Sequence, residues 1–291
     1  MAEPALADRP LHRAAAPGLA LAPPLVVLGF LFFYPLGLIL AQSLATGKGA
    51  GPFANYGAVL GTSLFRNALS HTIAITLAAS SGCLALGFTL SVVIAFVPFP
   101  GARILGRAIE TFIALPTFLV ALAFTFIYGS AGLLNGAAMK LFGLALPPID
   151  FLYSAWGVIL AEVTVYTPFV MRPLLAAFSL IDQAEIEAAS ILGAGWFRIL
   201  RQIIAPAALP ALMAGGSLCL LLTTNEFGIV LFIGAKGVET LPLLIYDKAI
   251  QEFDYAGACV LGAVNIALSL GLFALYRGVL AWLGKTRAGL V

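Results

Sequence analysis

Six apolar runs, each long enough to cross a bilayer, limit what this chain of 291 residues can fold into. They lie at about 19–44, 68–97, 108–130, 154–178, 207–234 and 256–283. A hydrocarbon layer of about 30 Å takes about 20 residues of helix, so every run reaches across and several have length left for tilt. Within lipid each segment must satisfy its own backbone amides, and for runs of this length that selects the α-helix. The chain is therefore expected to be an all-α integral membrane protein with six transmembrane helices, kinked at Pro23, Pro24, Pro35, Pro116, Pro168 and Pro210. Residues 19–283 form the spanning domain, with tails at 1–18 and 284–291. The run from 19 is too long for a signal-peptide core and reads as a retained first helix.

Composition excludes several functions. With 62% hydrophobic and 10% charged residues, little of the chain can be solvated by water. No polar segment exceeds about 30 residues, against the 50 or so that a folded domain needs. An ATPase or ligand-capturing domain has no room here, so energy and substrate capture must come from other chains or an ion gradient. The stretch Gly278 to Gly284-Lys285-Thr286 misses phosphate-loop spacing by one position and follows a membrane helix instead of a strand. A net charge of +2 without a clustered basic face excludes nucleic acid. Cys83, Cys219 and Cys259 sit in apolar runs as small hydrophobes, and no cofactor or metal is expected.

An even number of spans puts both termini on one side, and basic residues choose which. Of the 15 Lys and Arg, ten lie on the terminal side: Arg9, Arg13, Arg103, Arg107, Arg172, Arg198, Arg201, Arg277, Lys285 and Arg287. The remaining five, Lys48, Arg66, Lys140, Lys236 and Lys248, lie opposite. The positive-inside rule then predicts cytoplasmic termini and a cytoplasmic loop at 182–206.

That loop, DQAEIEAASILGAGWFRILRQIIAP, reads as folded. Asp182 with Glu185 forms a capping-box pattern that starts a short helix, and Gly193 supplies the left-handed position that ends it. A second short helix is expected from about 195 to 204, stopped by Pro206. Ile186, Ala188, Ala189 and Ser190 give the first a smooth face, while Trp196, Phe197, Leu200, Ile203 and Ile204 give the second an apolar one. These features fit either a partner-docking element or a helix pair lying on headgroups, anchored by Trp196, Arg198 and Arg201.

The order Glu187-Ala188-Ala189, three residues, Gly193, nine residues, Ile203, then Ala205-Pro206 resembles the loop signature of permeases of binding-protein-dependent ABC importers. Ala205 replaces the Leu of that signature and leaves its proline in place. The resemblance implies a type I (MetI-like) permease fold in the bacterial inner membrane. It also implies a coupling helix gripped by a separate ATPase, with Glu187, Ala188, Ala189, Gly193, Ile203 and Pro206 as the coupling residues. Its implied partners are two ATP-binding subunits, a second permease and a periplasmic substrate-binding protein, and the chain itself performs no catalysis.

Inside the membrane, Asn225 and Glu226 fall in the fifth run, and Glu162 and Tyr166 share a face of the fourth. A carboxylate at mid-bilayer costs about 2.5–3.5 kcal/mol, so each acid must face a cavity or a partner. Both readings stay open: a translocation path, or hydrogen bonds between helices. His71 is a weaker path candidate, Asn265 fits an interhelical hydrogen bond, and Arg172 fits snorkelling. Gly215 and Gly216 fit close helix packing.

The run 225–255, NEFGIVLFIGAKGVETLPLLIYDKAIQEFDY, resembles permeases of 2-aminoethylphosphonate importers, which implies a small zwitterionic cargo whose ammonium could meet Glu226. Iron, polyamine, thiamine and sulfate or another oxyanion remain alternative cargoes. Asp150, Glu239, Asp247, Glu252 and Asp254 on the opposite face serve either docking or solvation. Two rivals are an ion-coupled secondary transporter, for which no inverted repeat is evident, and a membrane enzyme using Glu162, Glu226 and His71.

Overall fold

The computed structural model describes residues 17–45 and 51–288, without the side chains of 17–20, 103 and 283–288. Residues 1–16 of the N-terminal tail, with Arg9 and Arg13, lie outside the described residues, as do Lys48 and 289–291. Among the described residues, six helices are long and apolar enough to span: Leu21–Leu44, Ser63–Phe96, Thr117–Phe142, Ala155–Phe178, Trp196–Thr224 and Tyr255–Trp282. The last continues as helix to Ala288, into the stretch expected to be a tail.

Two spans differ from the sequence expectation. The third does not run unbroken through 108–130, because Pro116 has no N–H and forces Leu115 out of helical geometry. A short helix, Ala102–Thr111, precedes this break, and Thr117–Tyr128 follows it. The fifth span begins at Trp196 rather than 207 and ends at Thr224 rather than 234. Pro206 does not stop the second loop helix. A π-helical turn, Leu200–Ile204, leads directly into Ala205–Thr224, and Pro206 occupies the first turn of that segment, where a missing donor costs little. Burial of Ile199 and Ile204 keeps this entry turn on the core.

The fourth span is the axis of the molecule, with 56% of its apolar window buried, against 0% for the peripheral first span. It packs between the second and fifth spans. Without a hydrophobic force in lipid, helices associate through small residues that admit close approach. Val170, fully buried, shows how: a Cβ added at Gly87 would lie 3.0 Å from its side chain, and one at Gly215 would lie 3.0 Å from its Cα. Caps fix the entry points. Thr62 accepts the Phe65 N–H at 3.1 Å and Ser154 accepts that of Trp156 at 3.3 Å, each starting a span.

Candidate functional site

At one end of the bundle, Asp182 caps the helix Gln183–Ile191 by accepting the Ala184 N–H at 2.9 Å. Gly193, at φ +80°, ends it in the left-handed region. Ala194 donates to the Ala189 carbonyl and Gly193 to that of Ser190, each at 3.0 Å, the hydrogen-bond pair of a Schellman turn. Ile186, Ala189 and Ala194 pack against the main core, so the turn is held from beneath. The smooth outward face is therefore narrower than expected: Glu187, Ala188 and Ser190 are exposed, whereas Ile186 and Ala189 point inward. Ile203 packs against the same core and Pro206 is exposed.

Sequence reasoning missed the tip of this element. Ile191 and Leu192, each 87% exposed, lead into the Gly193 turn, and Leu180, 86% exposed, precedes the Asp182 cap at the other end of the helix. A soluble surface rarely presents such residues together without a partner. The signal was available in the Ile191-Leu192 pair, which falls between Ser190 and the helix-ending glycine.

Deeper in the bundle, polar residues converge where the fifth span breaks. Glu226 is not inside a span but in the turn between Thr224 and the short helix Gly228–Ile233. Its Oε1 accepts the Ile229 N–H at 2.7 Å and the Thr117 hydroxyl at 3.3 Å, and its Oε2 accepts the Tyr166 hydroxyl. One carboxylate thus ties together the third span, the fourth span and the break, and is 6% exposed. Thr117 was missed because it lies 109 positions away. Glu162, one turn before Tyr166 and 1% exposed, leaves its Oε2 without a partner among the described residues.

Asn225 does not join that cluster. It is exposed, donates to the Leu221 carbonyl at 2.8 Å and to Ser269 Oγ at 3.2 Å, and accepts from Asn265 Nδ2 at 2.9 Å. At the far end, His71 Nδ1 lies 3.2 Å from the Glu239 carbonyl, and the Leu241 N–H donates to Thr72 at 2.8 Å. These contacts fasten the segment after the break to the second span, beside a cavity lined by Asn67, His71, Glu239 and Asp247. Burial pushes the Glu239 carboxyl above its usual range; Asp247 and Glu252 add to the rise and His71 opposes it. Lys248 pairs with Glu252 at 2.6 Å and Asp254 at 3.4 Å.

Residues 86–287 match the family model of the binding-protein-dependent transport system inner membrane component. A putative 2-aminoethylphosphonate transport system permease protein of Salmonella paratyphi A is 60% identical over 275 residues, covering 94% of this chain and 93% of the relative. A probable sulfate transport system permease protein of Prototheca wickerhamii is 33% identical, over 70% and 78% of the two chains. Among solved structures, a bacterial ABC transporter importing the acidic polysaccharide alginate superposes with TM-score 0.78 at 17% identity, over 90% of this chain and 94% of that one.

Proposed function

Because the chain belongs to the binding-protein-dependent transport system inner membrane components, the multi-pass permeases of ABC importers, we propose that it conducts 2-aminoethylphosphonate across the inner membrane. It is a transport subunit rather than an enzyme, and it works with the other parts of an ABC importer. Those parts, in this reading, are two ATP-binding subunits, a second permease and a periplasmic substrate-binding protein. The termini and the Asp182 loop face the cytoplasm.

The observation that carries the coupling role is the Gly193 turn, anchored inward by Ile186, Ala189 and Ala194 while Glu187, Ala188, Ile191 and Leu192 stand outward. A rigid element of this kind transmits a push that a loose loop would absorb. ATP-driven closure of the ATPase pair would move the Asp182 loop. The continuous Trp196–Thr224 helix then carries that motion to the Glu226 cluster, giving alternating access by rocking of helices. Glu226 and Tyr166 pin the closed path, and Glu162, with its spare oxygen, and Asn225 line it. The cargo's ammonium would meet the carboxylates.

Uptake of labelled 2-aminoethylphosphonate in cells with and without this chain tests the cargo. Loss of uptake on deletion, with competition by the unlabelled compound and none by sulfate or polyamines, is expected; unchanged uptake refutes it. Cross-linking from position 192 to an ATP-binding subunit tests the loop separately.

A further inference from the structure

The short helix Ala102–Thr111 belongs to neither the Asp182 loop nor the Glu226 cluster, and its faces differ sharply in chemistry. At 3.6 residues per turn, Ala102, Gly106 and Ile109 share one side and are half-buried against the bundle. The adjoining arc presents Ile104, Leu105 and Phe112, which are 74%, 40% and 37% exposed. Arg107 occupies the remaining arc, exposed and with no ion pair among the described residues. Arg103 lies one turn earlier in register and Glu110 one turn later, so the polar arc carries a net charge of +1.

The depth of this helix follows from its neighbours. It begins after Gly101, whose φ of +97° turns the chain five residues beyond the end of the second span at Phe96. Phe96 in turn lies with its ring 5.2 Å from Phe178 and 6.2 Å from Trp196, so the second, fourth and fifth spans end at one level. A helix at that level, with an open apolar arc beside a cationic one, matches the chemistry of the bilayer interface: acyl chains on one side, phosphate on the other.

We propose that the Ala102–Thr111 helix lies in the membrane interface and holds anionic phospholipid headgroups at Arg107, with Arg103 as a second cationic position. Ile104, Leu105 and Phe112 enter the acyl boundary. The chain then passes through Pro116 to Thr117, a donor to Glu226, so the lipid-held helix anchors the end of the span that helps to pin the path. The inference rests on the permease reading only in requiring a bilayer, and its readouts are lipid contacts rather than uptake.

Two measurements on the assembled importer in liposomes of phosphatidylglycerol and phosphatidylcholine test it. Spin-labelled lipids report the preference for phosphatidylglycerol around the protein. In the Arg103→Gln/Arg107→Gln variant that preference should fall about five-fold per arginine at the site, from about 1 kcal/mol of attraction each. An unchanged preference overturns the proposal. Independently, a nitroxide at Ile104→Cys, in a Cys259→Ala background, should relax strongly with oxygen and weakly with a water-soluble nickel complex. Access to the nickel complex, or shielding from both agents by a covering protein, overturns it as well.

Discussion

The Tyr166 hydroxyl donates to Oε2 of Glu226, a residue 60 positions later in the chain, and so joins the middle of the fourth span to the break after the fifth. The other carboxylate oxygen takes the Ile229 N–H and the Thr117 hydroxyl. Every donor comes from a different element, so the carboxylate is a junction that any movement of those elements must open.

Tyr166→Phe removes one donor from a buried acceptor and is expected to cost about 1–3 kcal/mol. Thr117→Val, whose bond is longer at 3.3 Å, should cost less. Unfolding of the purified protein in mixed micelles by increasing SDS measures both; equal losses would contradict the ranking.

Glu162 presents the opposite case, a buried carboxyl oxygen with no partner among the described residues. Replacing it by Leu should relieve that penalty and raise unfolding stability by about 1–3 kcal/mol. If the spare oxygen is where the cargo's ammonium binds, as proposed, uptake should nevertheless fall. A variant with lower stability and normal uptake would refute both halves.

At Gly193, φ +80° strains any residue with a Cβ, by about 1–2 kcal/mol. Gly193→Ala should insert normally, as judged by membrane immunoblot, but the importer assembled with it should lose most of its binding-protein-stimulated ATP hydrolysis. Gly193→Asn should be milder, since Asn tolerates this conformation. Normal transport by Gly193→Pro would rule out a coupling role for this turn.

A Cβ built at Gly216 would overlap the Tyr276 hydroxyl, which donates to the Leu212 carbonyl at 2.7 Å. Gly216→Ala should cost about 1–3 kcal/mol through overpacking. Tyr276→Ala removes the obstructing ring, so in that background the same substitution should cost little. A double-mutant cycle measures the coupling, and strictly additive losses would locate the strain elsewhere.

The segment after the break, which carries Glu239, supplies a pH test. The folded-state pKa of Glu239 is raised, chiefly by burial, so its ionised form is disfavoured relative to the unfolded chain. This penalty is present above the folded pKa and fades as pH falls through it toward the unfolded value. Glu239→Gln should therefore raise the melting temperature at pH 7–8, with the gain shrinking toward pH 4. A gain that grows on acidification would reverse the sign.

Spans are legible in a sequence because the free energy of moving a side chain from water to hydrocarbon is a local quantity, summed along about 20 residues. That is why runs such as 154–178 lie within a residue of the observed Ala155–Phe178 helix. The Gly193 turn was legible for a similar reason, since its hydrogen bonds close within six residues. Where the fifth span ends was not legible. Ile229–Ile233 continues the apolar run, and hydropathy cannot register that Glu226 takes the Ile229 amide, nor that Ile199 and Ile204 are buried and carry the helix back to Trp196.

The sequence by itself determined a six-span helical bundle and the short folded loop with its left-handed glycine, because both depend on interactions between near neighbours. Only the tertiary structure decided that Glu226 is fully satisfied while Glu162 is not. It likewise decided that Ala189 faces the core beside an exposed Ala188, and that Val170 is clasped between Gly87 and Gly215. Each of these depends on which distant segments meet, and that is set by the packing of whole helices rather than by the residues adjacent in the chain.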